Sequence, residues 1–348
     1  MVRLEPDARI WRCIFGREWS VQVAAAGIVR RRTRFARPRG VLSLGWACIE
    51  SAVTGRREHR PTSEDYPQDV VRRTEFEAGG GLKWKISALT TPRQRRSRWK
   101  IVVITGAPSW AEYWAPVMAA LPNDREMIVI DRPGYGHSEP ADPVPDIKIQ
   151  ALALSPLLQA APGQRIVLVG QSYGAAIAAL MAAAHPRRVA SLVLLSSYLG
   201  ESGPTARWLM DAGSRLKGVI PRDLRAAVTE VAGQPAQLQL MHAALAGLRI
   251  PVHVIHGDMD DFAPIQLAQR LAAETPAQRP IRFQAVPGAN HFLNDGPVER
   301  MLGCLEACLP APISAFGEAR RWIASLAGRL AKPSRAAVAP VSGPSLAG

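Results

Sequence analysis

Residues 166–174 read Ile-Val-Leu-Val-Gly-Gln-Ser-Tyr-Gly, and this stretch decides the fold. The apolar run at 166–169 is typical of a buried strand, and the alanine-rich run at 175–184 predicts a helix directly after it. A Gly-x-Ser-x-Gly motif between a strand and a helix predicts a strained turn, which projects the Ser172 hydroxyl away from the sheet. The two glycines are required because a Cβ atom at either position would collide with neighbouring backbone. The stretch therefore predicts a serine nucleophile at the carboxyl end of a strand.

Apolar runs on both sides of this stretch predict the rest of a sheet. Residues 70–78 and 82–89 flank three glycines, a pattern that predicts a β-hairpin. Further strands are predicted at residues 101–105, 127–130, 192–196, 252–256 and 281–286, and a further helix at residues 264–274. Continuous Val/Ile/Leu runs that alternate with helices are typical of a mainly parallel sheet with helices on both faces. The predicted fold class is therefore a doubly wound α/β sheet, with its functional residues at the carboxyl ends of the strands.

The length and composition are those of a globular protein with basic ends. The 348 residues are 47% hydrophobic and 21% charged, so one large domain can bury its own core. The net charge is +14; residues 1–69 carry 13 Lys/Arg against 8 Asp/Glu, and residues 310–348 carry 5 against 1. Nucleic-acid binding would require a basic stripe interleaved with aromatic residues on a recognisable module, and the sequence contains no such module. We therefore expect no nucleic-acid partner.

The four cysteines, at positions 13, 48, 304 and 308, form neither a Cys-x-x-Cys motif nor an alternating Cys/His pattern. Cys304 and Cys308 lie one helical turn apart and are interpreted as small buried apolar residues. We therefore expect neither a disulfide framework nor a metal site, and we expect no cofactor.

Changes in composition divide the chain into three segments. Residues 1–69 are predicted to be a basic arm and linker, poorly ordered or loosely helical, and residues 310–348 a short helix followed by a disordered tail. The two apolar stretches of the arm, 21–29 and 41–49, have nine residues each and are too short to cross a bilayer. Arginines at 30–32 follow the first stretch and oppose export. We expect a cytoplasmic protein whose arm makes at most weak contact with an anionic membrane surface.

Four more motifs occur in order within residues 70–309. They are Thr-Gly-Ala-Pro at 105–108 with Trp110, Asp-Arg-Pro-Gly-Tyr-Gly-His-Ser at 131–138, Ile-His-Gly-Asp-Met-Asp at 255–260 with Pro264, and Gly-Ala-Asn-His-Phe at 288–292. Together with the serine motif they resemble the loops of the α/β-hydrolase superfamily, in particular its single-domain, esterase-like serine hydrolases. The resemblance covers residues 70–309 and implies one hydrolase domain with a short helical cap at about residues 198–248.

Ser172, Asp260 and His291 are the candidate catalytic residues. A serine hydroxyl needs a base at neutral pH, and His291 lies in a glycine-rich loop past the last predicted strand, from which an imidazole can reach the serine. The chain order Ser, Asp, His is that of the α/β-hydrolase arrangement. Asp258, Asp260 and Asp261 crowd the acid loop, and the family pattern places the acid three residues past the glycine, at Asp260. Asp258 could instead bond within the turn, and Asp261 could cap the next helix.

The resemblance also implies an oxyanion hole made by the backbone N–H groups of Ala107 and Tyr173. Because both donors are backbone groups, Thr105, which stands where the family usually has histidine, is compatible with the hole. Asp131 is expected to be a structural acid of its loop. The remaining histidines near the motifs are interpreted as turn, packing or hydrogen-bonding residues: His137, His253 and His256.

The predicted function is hydrolysis of an ester-type bond (carboxylic ester, thioester or amide) in a small apolar substrate, through a Ser–His–Asp triad and an acyl-enzyme. A serine in the motif disfavours the haloalkane dehalogenases and epoxide hydrolases of this superfamily, which use aspartate there. The cap segment is long enough for two to four helices over the site, and its apolar residues include Trp208, Leu209, Met210, Leu216, Leu238, Leu240 and Met241. The alternatives are an acyltransferase or perhydrolase on the same fold, and a non-catalytic ligand-binding protein.

Overall fold

The computed structural model describes residues 63–92, 97–275 and 281–310 of the chain. The chain divides into two units, Met1–Leu309 and Pro310–Gly348, and all the elements below belong to the first unit. The predictions made for residues 1–62 of the basic arm, for the helix and tail at 311–348, and for Cys13 and Cys48 lie outside the described residues. The first described element is a short helical turn, Ser63–Asp65.

One eight-stranded sheet forms the centre of the described structure. Its strands are β1 (Arg72–Glu77), β2 (Lys85–Thr90), β3 (Trp99–Ile104), β4 (Arg125–Ile130), β5 (Arg165–Gln171), β6 (Val189–Leu195), β7 (Val252–Gly257) and β8 (Ile281–Val286). Their order across the sheet is β1-β2-β4-β3-β5-β6-β7-β8; β2 pairs antiparallel with β1 and β4, and the remaining neighbours are parallel. This topology confirms the predicted α/β fold, because each apolar run forms a strand and the hairpin precedes the parallel part.

Helices cover both faces of the sheet. They are α1 (Ala115–Ala119), α2 (Ile147–Leu154), α3 (Gly174–Ala184), α4 (Pro204–Arg215), α5 (Arg222–Gly233), α6 (Leu238–Gly247), α7 (Ile265–Glu274) and α8 (Val298–Ala307). One apolar cluster packs α1 and α8 on one face, with the free thiols Cys304 and Cys308 buried in it, and a second packs α2, α3, α6 and α7 on the other. In β5, Val169 belongs to the first cluster and Leu168 to the second, as the two-residue period of a strand requires. None of the described helices has both the length and the apolar composition to span a bilayer.

The predicted cap segment, residues 198–248, contains three helices. Residues of α4 and α5 line the space above the carboxyl ends of the strands. Helix α6 instead packs against α3 and buries Leu238, Met241 and Leu245 in the second core cluster. The cover of the site is therefore formed by α4 and α5, while α6 belongs to the helical layer on the face of the sheet.

Candidate active site

Ser172 lies at the sharp turn between β5 and α3. Its φ of 51° is in the left-handed region that L-residues rarely adopt, as the motif predicts. A Cβ atom at Gly174 would lie 2.3 Å from the carbonyl oxygen of Ile104. A Cβ atom at Gly170 would lie 2.6 Å from the Cα atom of Ala175. Only glycine fits at either position, so the local sequence fixes the direction in which the Ser172 side chain leaves the sheet.

A hydrogen-bonded chain joins the three side chains predicted from the sequence. His291 Nε2 lies 3.0 Å from Ser172 Oγ, and His291 Nδ1 lies 2.8 Å from Asp260 Oδ2. Asp260 follows β7 and His291 follows β8, so parallel strands deliver both side chains to the edge of the sheet where Ser172 lies. The Asp260 side chain is fully buried and that of His291 is 8% exposed, so little water competes for these bonds. The structure therefore brings the three residues together in the order that a serine–histidine–acid triad requires.

Asp260 is the aspartate of the crowded loop that contacts His291. Its Oδ1 atom accepts hydrogen bonds from the N–H groups of Phe262 (2.9 Å) and Ala263 (2.8 Å), which leaves Oδ2 for the imidazole. Burial by itself raises the pKa of Asp260, but the adjacent His291, together with His256, holds this pKa well below its usual value. The carboxylate therefore stays ionised into strongly acidic solution.

The two neighbouring aspartates have other partners. Asp258 Oδ1 accepts a hydrogen bond of 2.8 Å from the Gly288 N–H of the loop after β8, so it contacts a neighbouring loop instead of bonding within its own turn. The prediction that Asp261 caps the next helix is wrong, because its Oδ2 accepts a hydrogen bond of 2.5 Å from the Thr205 hydroxyl of α4, and α7 begins after Pro264 without a side-chain cap. The physical reason is that Asp260 already binds the N–H groups ahead of α7, so Asp261 is left to contact the cap.

His256 is a second histidine on the same carboxylate. Its Nε2 lies 3.0 Å from Asp260 Oδ2 and 2.9 Å from the carbonyl oxygen of Ala263, and its side chain is fully buried. One Nε2–H can be shared between these two acceptors, so His256 helps to hold the carboxylate that faces His291. Sequence reasoning assigns His256 only a packing or hydrogen-bonding role at a strand end. The available signal is its spacing of four residues before the acid across a tight turn.

Gln171 lies beneath the site and connects the serine turn to the histidine loop. Its amide group donates to Asn294 Oδ1 at 2.9 Å and accepts from the Trp114 indole N–H at 3.1 Å. Asn294 in turn donates to the carbonyl oxygen of Tyr113 at 3.3 Å. Sequence reasoning missed this network because its members lie on three different segments and share no motif.

The loop after β3 passes directly over Ser172. A Cβ atom at Gly106 would lie 3.0 Å from Ser172 Cβ, so only bare backbone fits between the loop and the serine. Ala107 and Tyr173, whose N–H groups are the predicted oxyanion donors, line the same cavity as Ser172. In the described part of the chain, neither N–H donates to a backbone acceptor in the surrounding loops. Their role in an oxyanion hole stays a prediction.

Thr105 supplies hydrogen bonds to this loop at the position where the family usually has histidine. Its Oγ1 donates to the carbonyl oxygen of Ile130 at 3.0 Å and contacts the Ser109 hydroxyl. Ser109 Oγ also accepts a hydrogen bond of 2.8 Å from the Arg132 N–H. The substitution therefore leaves the loop tied to the end of β4.

Asp131 has the contacts of a structural acid. Its buried carboxylate accepts hydrogen bonds from the Ala111 N–H at 2.8 Å and from the Arg73 guanidinium at 2.7 Å. Both partners belong to the scaffold around the loops, and neither is Ser172 or His291. The contacts agree with the structural role expected for Asp131.

A cavity of about 360 Å³ lies between the cap helices and the carboxyl ends of the strands, with Ser172 and His291 at its floor. The ring of Phe262 stacks on the His291 imidazole at a centroid distance of 5.2 Å. Four of the cap residues named from the sequence line the cavity: Trp208, Leu209, Met210 and Leu216. Leu238, Leu240 and Met241 do not line it. No Lys, Arg, Asp or Glu is among the described residues that do.

Comparison with known proteins finds that the chain is similar to α/β-hydrolases. The family model of the alpha/beta hydrolase fold matches residues 100–243. A protein of Pseudomonas savastanoi pv. phaseolicola, provisionally named a carbamate hydrolase, is 26% identical over 241 residues, covering 58% of this chain and 91% of that protein. The 2-hydroxy-6-oxononadienedioate/2-hydroxy-6-oxononatrienedioate hydrolase 2 of Pseudomonas putida is 25% identical over 209 residues, covering 49% of this chain and 73% of that protein.

Among solved structures, a haloalkane dehalogenase from Agrobacterium tumefaciens C58 matches with a TM-score of 0.53 at 16% identity, covering 68% of this chain and 95% of that one. At this identity the match shows the fold alone. The structural neighbour therefore says nothing about which bond this chain cleaves.

Proposed function

We propose that this chain, which is similar to α/β-hydrolases, is a member of that superfamily and a serine hydrolase that cleaves an ester-type bond in a small, uncharged, apolar substrate. The observation that carries the proposal is the hydrogen-bonded chain Ser172–His291–Asp260, with distances of 3.0 and 2.8 Å. The bond can be a carboxylic ester, a thioester or an amide, because all three are cleaved by the same acyl transfer.

Each residue of the chain has a distinct role in this reaction. Because Asp260 accepts the hydrogen bond of Nδ1–H, His291 presents the lone pair of Nε2 to the serine hydroxyl. Nε2 takes the proton as Ser172 Oγ bonds to the substrate carbonyl carbon, and ionised Asp260 stabilises the imidazolium that forms. The scissile bond then breaks and the imidazolium returns the proton to the leaving group. Water attacks the acyl-enzyme in the same way, Ser172 regains its proton, and the carboxylic acid leaves.

The predicted oxyanion donors fit the same reaction. The carbonyl oxygen becomes an oxyanion when Ser172 attacks, and Ala107 and Tyr173, whose N–H groups would stabilise it, line the cavity that would hold it. Tyr173 directly precedes α3, so the positive end of the helix dipole also favours negative charge there. Donors of this kind are fixed before the reaction and stabilise the charge only as it develops.

The cavity lining supports an uncharged substrate. A carboxylate that enters a cavity without a cationic side chain loses its hydration without gaining a partner, which is strongly unfavourable. The Pseudomonas putida relative is named for dienedioates, which carry two carboxylates, whereas the described lining of this cavity contains no Lys or Arg. We therefore propose that the acyl group is apolar and neutral.

A second candidate is an acyltransferase or perhydrolase that uses the same acyl-enzyme. The apolar lining is the observation in its favour, because an alcohol or a peroxide then competes better with water for the acyl carbon. The test is product partitioning: acyl-enzyme formed from a p-nitrophenyl ester is divided between water and added alcohol. An ester product that dominates at low alcohol concentration would favour the transferase.

The serine assignment is tested with a fluorophosphonate probe and a panel of p-nitrophenyl esters from acetate to octanoate. Ser172→Ala should abolish labelling and lower ester turnover about 10⁴- to 10⁶-fold. Ser202→Ala is the matched control, because Ser202 lines the same cavity but lies outside the hydrogen-bonded chain. It should keep both labelling and turnover. Labelling that persists in Ser172→Ala, or faster hydrolysis of p-nitrophenyl hemisuccinate than of the butyrate, would contradict the proposal.

A further inference from the structure

Arg132 is a fully buried arginine at the start of the loop at residues 131–138. A guanidinium cannot give up its proton in a protein, so burying it is costly unless every donor finds an acceptor. The triad reaction described above does not use this residue. Its contacts are therefore informative about what the buried charge does.

On the cap side, Arg132 pairs with Glu230 of α5. The two side chains are both 0% exposed, and the guanidinium binds the carboxylate through two bonds of 2.8 and 3.1 Å. Glu230 also accepts hydrogen bonds from the Tyr135 hydroxyl at 2.6 Å and from the Gln150 amide at 2.7 Å. Burial by itself lowers the pKa of Arg132, but the Glu230 carboxylate raises it above the ordinary value, so the arginine is charged.

On the other side, Arg132 binds the loop that covers Ser172. Its Nε donates to the carbonyl oxygen of Thr105 at 2.9 Å, and its Nη2 donates to the carbonyl oxygen of Gly106 at 2.9 Å. The Gly106 carbonyl belongs to the same peptide group as the Ala107 N–H, which is a predicted oxyanion donor. In a planar trans peptide the oxygen and the hydrogen point in opposite directions. A cation on the oxygen therefore fixes the direction of the N–H and makes it a stronger donor.

Arg132 also contacts the residue that supplies the other predicted donor. The guanidinium carbon lies 4.7 Å from the centroid of the Tyr173 ring, within the range of a cation–π contact. Arg132 thus contacts the Gly106–Ala107 peptide group and the Tyr173 side chain, which belong to the predicted oxyanion hole. It also contacts the Glu230 carboxylate of the cap.

We propose that Arg132 is the positioning residue of the oxyanion hole, and that its ion pair with Glu230 ties this positioning to helix α5 of the cap. The inference rests on the proposed serine-hydrolase function. Arg132 touches neither substrate nor Ser172; it acts through the Gly106–Ala107 peptide group and through Tyr173. Removing Arg132 should therefore destabilise the transition state, in which the oxyanion is present, without weakening the binding of the uncharged substrate.

The test removes the arginine without leaving a buried charge behind. In Arg132→Met/Glu230→Gln the single glutamine oxygen keeps an acceptor for one of its two present donors, Tyr135 or Gln150, and no charge remains in the core. Relative to the wild-type protein, we expect the acylation rate with p-nitrophenyl butyrate to fall about 10- to 100-fold, somewhat less than the loss of a whole oxyanion donor. KM should change less than about 3-fold. Arg125→Met/Glu306→Gln, which removes a remote ion pair of 2.6 Å, is the matched control and should behave as wild type.

A second readout separates positioning from general damage. An alkyl boronic acid forms a tetrahedral adduct with the serine and places an oxygen in the hole, so its inhibition constant should weaken by the same factor as the acylation rate. If the double variant does not fold, Arg132→Lys replaces it; the lysine keeps one charge but cannot form the bidentate contacts, and should give an intermediate loss in the rate. An unchanged acylation rate in either variant, or a loss expressed only in KM, would overturn the inference. Wild-type protein without hydrolysis or Ser172 labelling would instead overturn the proposed function.

Discussion

The two walls of the cavity are built in different ways. The wall at the strand ends carries Ser172, His291 and Asp260 on loops that each follow directly from a strand, and it holds them with hydrogen bonds of 2.8 to 3.0 Å. The cap wall, made by α4 and α5, contributes apolar side chains to the cavity. It meets the body through a buried ion pair, Arg132–Glu230, whose members are 98 residues apart in the sequence.

This difference separates the chemistry from the selection of the substrate. At the strand ends, backbone geometry fixes each polar side chain, so losing one of them should stop the reaction. At the cap, many apolar side chains together contact the substrate, so losing one of them should weaken substrate binding without stopping the reaction. Substitutions on the two walls should therefore differ in size and in the kinetic constant that they change.

The largest effect is expected from removal of the general base of the strand-end wall, His291. His291→Ala should lower ester turnover about 10⁴- to 10⁶-fold, because Ser172 then has no group to take its proton. The double variant Ser172→Ala/His291→Ala should be no more than a few-fold slower than either single variant, since the two residues act as a unit. Turnover is measured with p-nitrophenyl butyrate at matched protein concentration. Additive losses in free energy would show that the two side chains act independently, against the geometry.

The acid of the same wall gives the next largest effect. Asp260→Asn should lower turnover by about 10⁴-fold, because the amide favours the wrong histidine tautomer. Asp258→Asn is the matched control in the same loop: its carboxylate binds the Gly288 N–H instead of a histidine, and the loss should stay below about 10-fold. The two variants are compared in the ester assay after circular dichroism confirms folding. A larger loss for Asp258→Asn would move the acid to that position.

The depressed pKa of Asp260 also fixes the sign of its effect on stability. A carboxyl whose pKa is lower in the folded state stabilises the protein above the ordinary aspartate value of about 4. This stabilisation is lost only as the pH falls from there through the folded-state value. In the wild-type protein, protonation of Asp260 should therefore contribute nothing to the acidic limb of the rate profile above about pH 4. The difference in the free energy of unfolding between wild type and Asp260→Asn should therefore become smaller as the pH falls below about 4, which denaturant unfolding at several pH values can measure.

The strand-end wall could be predicted from the sequence, and most of the cap wall could not. Ser172 is fixed by a strand, two glycines and a helix within a few residues, and Asp260 and His291 follow strands that a simple apolar pattern reveals. Glu230 carries no such signal, because in an amphipathic helix a glutamate is expected on the exposed face. The burial of Glu230 depends on its ion pair with Arg132, which lies far away in the sequence, in the loop after β4. Leu238 and Met241 were likewise assigned to the cover, although α6 packs them into the core.

The cap wall should respond to added charge with a smaller and different effect. Leu216→Lys places an ammonium in the uncharged lining at a half-exposed position, so the protein should fold. KM for p-nitrophenyl butyrate should rise about 3- to 10-fold with little change in kcat, because ground-state and transition-state binding weaken together. Leu240→Lys is the control, since Leu240 is similarly exposed but does not line the cavity. A fall in kcat alone for Leu216→Lys would place the cap in the chemistry.

The smallest effect is expected far from both walls, at the amino-terminal arm. All the residues assigned to the reaction lie between 105 and 291, so deletion of residues 1–60 should leave ester turnover within a few-fold of the full chain.

The residue at which the deletion ends affects stability, because the N–H and hydroxyl groups of Ser63 bind Glu112 at 2.6 and 2.8 Å. Deletion of residues 1–65 removes both bonds from a nearly buried carboxylate and should lower the free energy of unfolding by about 1–3 kcal/mol more than deletion of residues 1–60. Turnover should stay the same in both. Thermal unfolding and the ester assay together test this. If either truncated protein folds but loses all turnover, the arm contributes to the substrate site, and the cavity then has a third wall that neither the strand ends nor the cap supplies.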